Sequence, residues 1–403
     1  MQTNHEAPVI FDLTAGLFAT SIHTKPYKSE SPFRTTYESI PTMTRDYSSF
    51  LPTSTNGEAT EIQKSKIHTL GWQPFFARQI SIDELTQNPP VRIIEVHRSG
   101  LHAVGNDLNL TLPPDQDVTV GDWVLFDPDT QKHSRVLERK SLVKRKAPGS
   151  DRQVQLIAAN IDTAFIVTSC NQDFNVARLE RYIALALDSD ITPVIVLTKT
   201  DLAPSHEEFV EQARAISDHA TVVALDARGE EPAQKLARWC GAGKTVAFLG
   251  SSGVGKSTLT NALAGNTSIE TQSIREDDAK GRHTTTRRQL HLVRGGCLVL
   301  DTPGMRELQL ADATAGIESV FADLQELSTQ CKFNDCQHQS EPGCAVLNAL
   351  EKGEISQDRL ERWRKLLAED AYNSASLAER RSKDKAFGKT IRQVLKQKKK
   401  RRL

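Results

Sequence analysis

The apolar positions of this chain fall into three successive patterns. Between residues 67 and 146 they alternate with polar positions over short runs. Val91-Arg-Ile-Ile-Glu-Val-His97 alternates, and Gly100-Leu-His-Ala-Val-Gly105 is short and bounded by glycines. Val118-Thr-Val-Gly-Asp-Trp-Val-Leu-Phe126 breaks at Gly121-Asp122 and resumes as a second strand, and His133 to Leu142 alternates again. Such runs predict a small β-barrel or sandwich, and a five-stranded OB-type barrel fits the strand count. From about residue 154 the apolar runs become continuous: Thr163–Thr168, Pro193–Leu197, Thr221–Leu225, Thr245–Leu249 and Leu298–Leu300. Val176, Leu179, Ile183 and Leu187, then Phe209, Ala213 and Ile216, fall between them at helical spacing. Buried strands alternating with helices predict a parallel, doubly wound α/β sheet. After residue 310 the pattern is helical, with Leu347, Leu350, Leu360, Trp363, Leu366 and Leu367 as core positions.

The two ends differ. Residues 1–66 are rich in Ser, Thr and Pro without sustained periodicity, although Val9 to Ile22 holds enough apolar residues for a short element. A mostly flexible extension is expected there. From Lys389 the chain carries eight cations unopposed by any acid. The expected organisation is an extension over 1–66, an OB-fold over 67–148, a nucleotide-binding α/β domain over 149–312, a metal-binding helical domain over 313–375 and a basic tail over 376–403. Within 403 residues, 38% hydrophobic content supports a sizeable core, and 51 basic against 51 acidic residues exclude a uniformly basic coat for nucleic acid. They leave room for local basic patches, such as Lys140, Lys144, Arg145 and Lys146 at the end of the barrel. No apolar run approaches the ~20 residues of a membrane span, and no signal-like N-terminus is present. Six cysteines, three of them clustered, fit reduced cytosol and a metal site better than a disulfide framework.

Gly250-Ser251-Ser252-Gly253-Val254-Gly255-Lys256-Ser257, followed by Thr258, matches G-x-x-x-x-G-K-[ST] between a predicted strand and a predicted helix. Glycines allow backbone N–H groups to converge on phosphate oxygens, and the helix N-terminus adds positive partial charge. Lys256 is the candidate for the β- and γ-phosphates, and Ser257 for Mg²⁺. Downstream, Leu298-Val-Leu-Asp-Thr-Pro-Gly304 delivers Asp301 to a strand end, where it can hold Mg²⁺ through a water, with the Gly304 N–H toward the γ-phosphate.

Thr198-Lys199-Thr200-Asp201 ends the strand before the phosphate loop. It resembles the N-K-x-D element of GTPases, in which the acid accepts from guanine N1–H and the exocyclic amine. Adenine lacks that donor pair. Thr198 replaces the usual Asn. Asp226-Ala227 is the candidate for the loop that supports the base edge, where GTPases usually place Ser-Ala. The base-reading element precedes the phosphate loop, so the chain order implies a circular permutation. Gly281-Arg-His-Thr-Thr-Thr-Arg287 lies between the phosphate loop and Asp301, as a switch segment would. Thr285 or Thr286 is the expected Mg²⁺ ligand. Met305 stands where a water-orienting Gln is usual, which makes His283 the candidate substitute and implies slow unassisted turnover.

Cys331-x₄-Cys336-x-His338-x₅-Cys344 supplies three thiolates and one imidazole, a closed ligand set for one structural Zn²⁺.

In this order, T-K-x-D, G-S-S-G-V-G-K-S, G-R-H-T-T-T, D-T-P-G and C-K-F-N-D-C-x-H-x₅-C resemble the circularly permuted ribosome small subunit-dependent GTPase A family over about residues 67–375. The resemblance implies an OB-fold, a central GTPase and a zinc-binding helical domain. It implies GTP/GDP binding with Mg²⁺, hydrolysis stimulated by the 30S subunit, rRNA contacts and a role in late small-subunit maturation. The chain is expected to be cytoplasmic, monomeric and free of membrane. The competing readings are a permuted GTPase for another ribonucleoprotein particle, and a zinc-stabilised RNA-binding protein with a slowly hydrolysing regulatory GTP site.

Overall fold

The computed structural model describes residues 66–146, 154–264, 288–293, 295–301 and 312–374. All of them fall in one of the two units into which the chain divides. The extension short of Lys66 and the basic tail lie outside the described residues.

Three short helices, α1 (Lys66–Thr69), α2 (Pro74–Ala77) and α3 (Ile82–Gln87), open the described chain. Each is too short to show a helical period, so pattern reading passes over them. Five antiparallel strands follow: β1 (Pro90–His97), β2 (Gly100–Val104), β3 (Asn109–Leu112), β4 (Trp123–Asp127) and β5 (Lys132–Val136), in the order β3-β2-β1-β4-β5. Successive side chains on a strand face opposite sides, and here both sides are covered. Trp123 and Leu125 pack with Ile67, Leu70, Trp72 and Phe76, while Val124 and Phe126 pack with Val91, Ile93 and Leu101. Residues 118–120 form no strand. They lead into a turn held by buried Asp122, which accepts from the Thr119 N–H (2.8 Å) and from the Arg139 guanidinium (2.7 and 2.8 Å).

The chain continues through a two-stranded ladder of β6 (Leu142–Lys146) and β7 (Val154–Ala159). Then come β8 (Thr163–Ser169), α4 (Val176–Asp188), β9 (Thr192–Thr198), α5 (Glu207–Arg214), β10 (Thr221–Ala224), α6 (Glu231–Lys235), β11 (Thr245–Leu249), α7 (Lys256–Ala264), β12 (Arg288–Leu292) and β13 (Leu298–Asp301). Strands β10-β9-β8-β11-β13 are parallel in that order, as the continuous apolar runs predict. Every residue of β8, at the centre of the sheet, is buried.

The sheet is mixed, however, not parallel throughout. Strand β12 runs antiparallel to β13 because the short connection between them, closed by Val293 N–H to Cys297 C=O (2.8 Å), permits only a hairpin. On its far side β12 pairs with β1, Glu95 opposite Gln289 and Val96 opposite Arg288. Strand β1 therefore gives one edge to β2 and divides the other between β4 and β12.

Arg92 fastens this junction. It is 1% exposed. Its guanidinium donates to the Leu70 carbonyl, to Gly121 C=O (3.3 Å), to Asn160 C=O (3.3 Å) and to Thr245 Oγ1 (2.9 Å). Burial pushes its pKa down to about 10, so it stays charged at neutral pH. Arg92→Ala leaves several buried acceptors unpaired and should cost about 3–5 kcal/mol. Urea unfolding checks this, and a midpoint within error of wild type would refute the assignment.

The last described elements are α8 (Thr314–Val320), α9 (Ala322–Thr329), α10 (Ala345–Glu351) and α11 (Gln357–Ser374). Helix α8 lies directly on α4, and only glycine fits at the crossing: a Cβ on Gly316 would stand 2.0 Å from Ala184 C=O. Helix α11 grips α4 by charge. Glu180, 0% exposed, meets Arg362 Nε at 2.8 Å and Arg359 at 3.7 Å, and Arg181 pairs with Glu369. Asp370 accepts from the Ala313 N–H and the Thr314 hydroxyl (2.9 Å each), anchoring the start of α8. No described helix is long and apolar enough to cross a membrane.

Candidate nucleotide and metal sites

Parallel strands in one sheet open their C-terminal loops along one edge, where ligands bind. The loops after β8, β9, β10 and β11 meet there. The loop after β11 begins at Gly250, whose φ is +138°. A Cβ at that position would stand 2.2 Å from Val167 C=O, so the loop can leave the sheet this way only at glycine. Gly253 (φ +78°) and Gly255 (φ +101°) continue the turn. Helix α7 then starts at Lys256, so the loop's backbone N–H groups and the helix N-terminus form one positive end. Lys256 Nζ donates to Gly250 C=O at 2.9 Å and to the Ser251 carbonyl. Its ammonium thus sits over the loop. Ser252, Ser257 and Thr258 are exposed at the rim, and Val254 is buried beneath it.

The loop after β9 holds Lys199 in the left-handed region (φ 57°), followed by a single 3-10 turn over Thr200–Leu202 that carries Asp201. Thr198 joins the two loops. It is fully buried, and its hydroxyl lies 2.6 Å from Val254 C=O, close enough to donate to it. The methyl of Ala227, from the loop after β10, would lie 3.7 Å from a Cβ on Gly255, so the third loop closes on the same place. A threonine hydroxyl supplies this bond without an amide.

Two neighbours of these loops carry no motif in the sequence. Arg178, in the first turn of α4, donates to Ser251 Oγ, and Arg228 donates to both Asp201 and Asp226. Arg228 directly follows Asp226-Ala227, and its place next to that pair is the one sequence signal for it. Arg178 becomes visible only when α4 is laid beside the phosphate loop. His283, Thr285, Thr286, Gly304 and Met305 lie outside the described residues, and of Asp301 only its place at the end of β13 is described. Beyond the antiparallel strands β1–β5, Lys140 is committed to Asp162 (3.1 Å) and Gln73 (3.0 Å), so it is less available to a partner than the sequence suggests.

The second site lies between α9 and α10. The ligand atoms of Cys331, Cys336, His338 and Cys344 all lie within 4.8 Å of one another. The two sulfurs of Cys331 and Cys344 are 3.8 Å apart, and His338 Nδ1 is 3.5 and 3.4 Å from them. A disulfide needs ~2.05 Å, whereas ligands at ~2.3 Å from one tetrahedral ion stand roughly 3.8 Å apart. The donor set and spacing therefore fit one zinc ion.

Local structure fixes the four ligands. His338 takes a left-handed backbone (φ 56°), and its ring lies 5.4 Å from that of Trp363. Glu341 accepts from the N–H groups of Gln337 (2.9 Å), Gln339 (2.8 Å) and Ser340 (3.0 Å), which hold its carboxyl down at about 2. Lys332 N–H to Gly343 C=O (3.1 Å) closes the loop, and Cys344 caps α10 by accepting from Leu347 N–H (3.4 Å). Burial pushes the Cys331 thiol up, but hydrogen bonds from the N–H groups of Ala345 and Val346 and from the Cys344 and Cys336 side chains together leave it below its ordinary value. Burial, then the charge of Arg364, depresses His338 and favours the neutral imidazole a metal requires.

The comparisons with known proteins agree with this geometry. A family model described as RsgA GTPase matches residues 136–311. The chain is 47% identical over 338 residues to "Small ribosomal subunit biogenesis GTPase RsgA 2" of Vibrio vulnificus, covering 83% of this chain and 97% of that one. It is 50% identical over 326 residues to "Small ribosomal subunit biogenesis GTPase RsgA" of Mesorhizobium japonicum, covering 79% and 93%. Among solved structures it is similar to YjeQ from Thermotoga maritima, with TM-score 0.52 and 25% identity over 70% of this chain and 98% of that one.

Proposed function

The chain belongs to the RsgA GTPase family, and from that premise we propose that it hydrolyses GTP while bound to the small ribosomal subunit during its late maturation. The observation that carries the proposal is the Thr198 hydroxyl on Val254 C=O, which ties the base-reading loop to the phosphate loop. Circular permutation changes the order in which these loops are encoded, not the edge at which they meet.

In this reading Asp201 accepts from guanine N1–H and its amine, Lys199 covers the base with its methylene stem, and Thr198 and Thr200 shape that loop. The N–H groups from Gly250 to Thr258 surround the phosphates. Lys256 neutralises the β- and γ-phosphates. Ser257 is the proposed Mg²⁺ ligand, joined by Asp301 through a water and by Thr285 or Thr286. The ion would neutralise charge that develops on the transferring phosphoryl group. Gly304 is assigned to the γ-phosphate and His283 to the attacking water.

The antiparallel strands β1–β5 are proposed as an OB-fold over 67–148, the sheet from β8 to β13 as the GTPase over 149–312, and α8–α11 as a zinc domain over 313–375. The outer modules are assigned to rRNA and the 30S particle, and the chain to the cytoplasm as a monomer. A zinc ion held by Cys331, Cys336, His338 and Cys344 would be structural, because no ligand position remains open.

Two measurements test this reading. Single-turnover GTP hydrolysis should accelerate on addition of purified 30S subunits and not of 50S subunits; equal rates in all three conditions would overturn the ribosomal assignment. Asp201→Asn should weaken GTP binding by about 10²-fold or more, as expected when a site built to pair buried polar groups loses the match. The same variant should accept xanthosine nucleotides, whose base presents a carbonyl where guanine has its amine.

A further inference from the structure

Asp226 and Asp201 point at the same place. Asp226 stands just beyond β10, Asp201 in the turn beyond β9, and the two strands are neighbours in the sheet. Two carboxylates side by side repel each other. Yet the base-reading role requires Asp201 to be ionised and aimed at the ligand. Arg228 resolves the conflict. Its Nε and its own backbone N–H reach Asp226 Oδ1 (3.0 Å each), and its Nη2 reaches Asp226 Oδ2 at 2.9 Å, a two-point grip. The same Nη2 donates to Asp201 Oδ2. The Asp226 backbone N–H is in turn held by Glu231 Oε2 (3.0 Å), and Glu231 is held by Lys235 (3.0 Å), so the loop is fixed from α6.

We propose that Arg228 is a positioning residue for guanine recognition: gripped by Asp226, it orients Asp201 and cancels the charge that Asp226 brings beside it. The inference rests on the assignment of Asp201 as the base reader. In this chain the loop after β10 thus supports the base-reading acid through an Asp–Arg unit, a charged arrangement in which neither member works without the other. Arg228 holds the Asp226 carboxyl below its usual range through the paired hydrogen bond, consistent with a committed salt bridge.

The Arg228 side chain is 66% exposed. Exposed ion pairs contribute little to stability, so its removal should leave the fold intact and change recognition.

The test is a double-mutant cycle read by calorimetric titration of the full-length chain with GDP and, separately, XDP. Arg228→Ala should weaken GDP binding about tenfold, the mid-range for coupled residues in direct contact. Asp226→Ser in the Arg228→Ala background should restore most of that loss, because the uncompensated charge is gone and a hydroxyl can support Asp201. A general loosening of the loop would not be rescued by a second substitution. Unchanged or tighter GDP binding by Arg228→Ala overturns the proposal; tighter binding would make Arg228 a competitor for Asp201. Failure of the second substitution to rescue also overturns it. Asp201→Asn is the control: if it too binds GDP like wild type without gaining XDP, the base assignment itself falls, and this proposal with it. If only Asp201→Asn is impaired, the base assignment stands and the role of Arg228 does not.

Discussion

Lys256→Ala is expected to lower kcat/KM for GTP hydrolysis about 10²–10³-fold, the loss typical when a fixed donor to developing transition-state charge is removed. Nothing about the fold requires the loss. Lys256 is half-buried, and its ammonium rests on the loop carbonyls of Gly250 and Ser251. The loop owes its path to glycine backbone geometry and to Val254 packing, which the substitution leaves alone. The helix dipole and the loop N–H groups also remain, so nucleotide binding should weaken less than turnover. Lys256→Arg should not restore the rate, because a planar fork does not replace a compact point charge in a loop of this size. The check is steady-state turnover beside a GDP titration. Wild-type turnover in Lys256→Ala would remove the phosphate loop from the mechanism.

Withdrawal of zinc should have the largest effect on stability. Binding of structural zinc to small sites is worth on the order of 10 kcal/mol, and apart from the Glu341 and Lys332 hydrogen bonds and the packing of His338 on Trp363, residues 331–344 have little apolar burial to hold them. Cys331 and Cys336 are only partly buried, Phe333 is 41% exposed, and the segment between α9 and α10 has no regular structure beyond turns. The ligands organise the segment directly, since Cys344 is also the cap of α10. A strong chelator, or Cys344→Ser, should therefore lower the Tm of the C-terminal helices by ten degrees or more on the scale of ~4–8 °C per kcal/mol. Trp363 beside His338 provides a local reporter by fluorescence. The native chain should carry one zinc per molecule by elemental analysis. A metal-free chain with the same Tm, or one with Cys331 and Cys344 oxidised to a disulfide, would contradict the assignment.

These two effects differ in how far each could be read along the chain. The phosphate loop and the Cys/His set are local: their chemistry depends on residues within a few positions of one another, and backbone geometry brings them together almost regardless of context. The central strands were legible for a similar reason. A run such as Thr163-Ala-Phe-Ile-Val-Thr168 has no polar face to offer water, so it belongs at the middle of a covered sheet. Strand β12 was not legible. Arg288-Gln-Leu-His-Leu292 is short and largely polar, and it becomes a strand because β13 and β1 supply partners on both edges. Helices α1–α3 escaped notice for want of length. Arg92 sat within an alternating strand as an apparent surface charge, and its burial depends on four acceptors drawn from remote parts of the chain.

Residue order alone showed a loop with the phosphate-binding pattern, the proposed base-reading acid, a Cys/His set able to hold a metal and an inverted encoding of the first two. Each is written in a short stretch whose backbone conformation and chemistry are set by its own side chains. The tertiary structure decided what those stretches do to one another. It set Thr198 against Val254, placed Arg228 between two acids on the loops after adjacent strands, laid Arg178 on Ser251 and locked α4 to α11 through Glu180. Apart from the local Arg228–Asp226 pair, such contacts join residues 27 to 182 positions apart. Their partners are selected by strand order and helix packing, which depend on the whole buried core rather than on any local pattern.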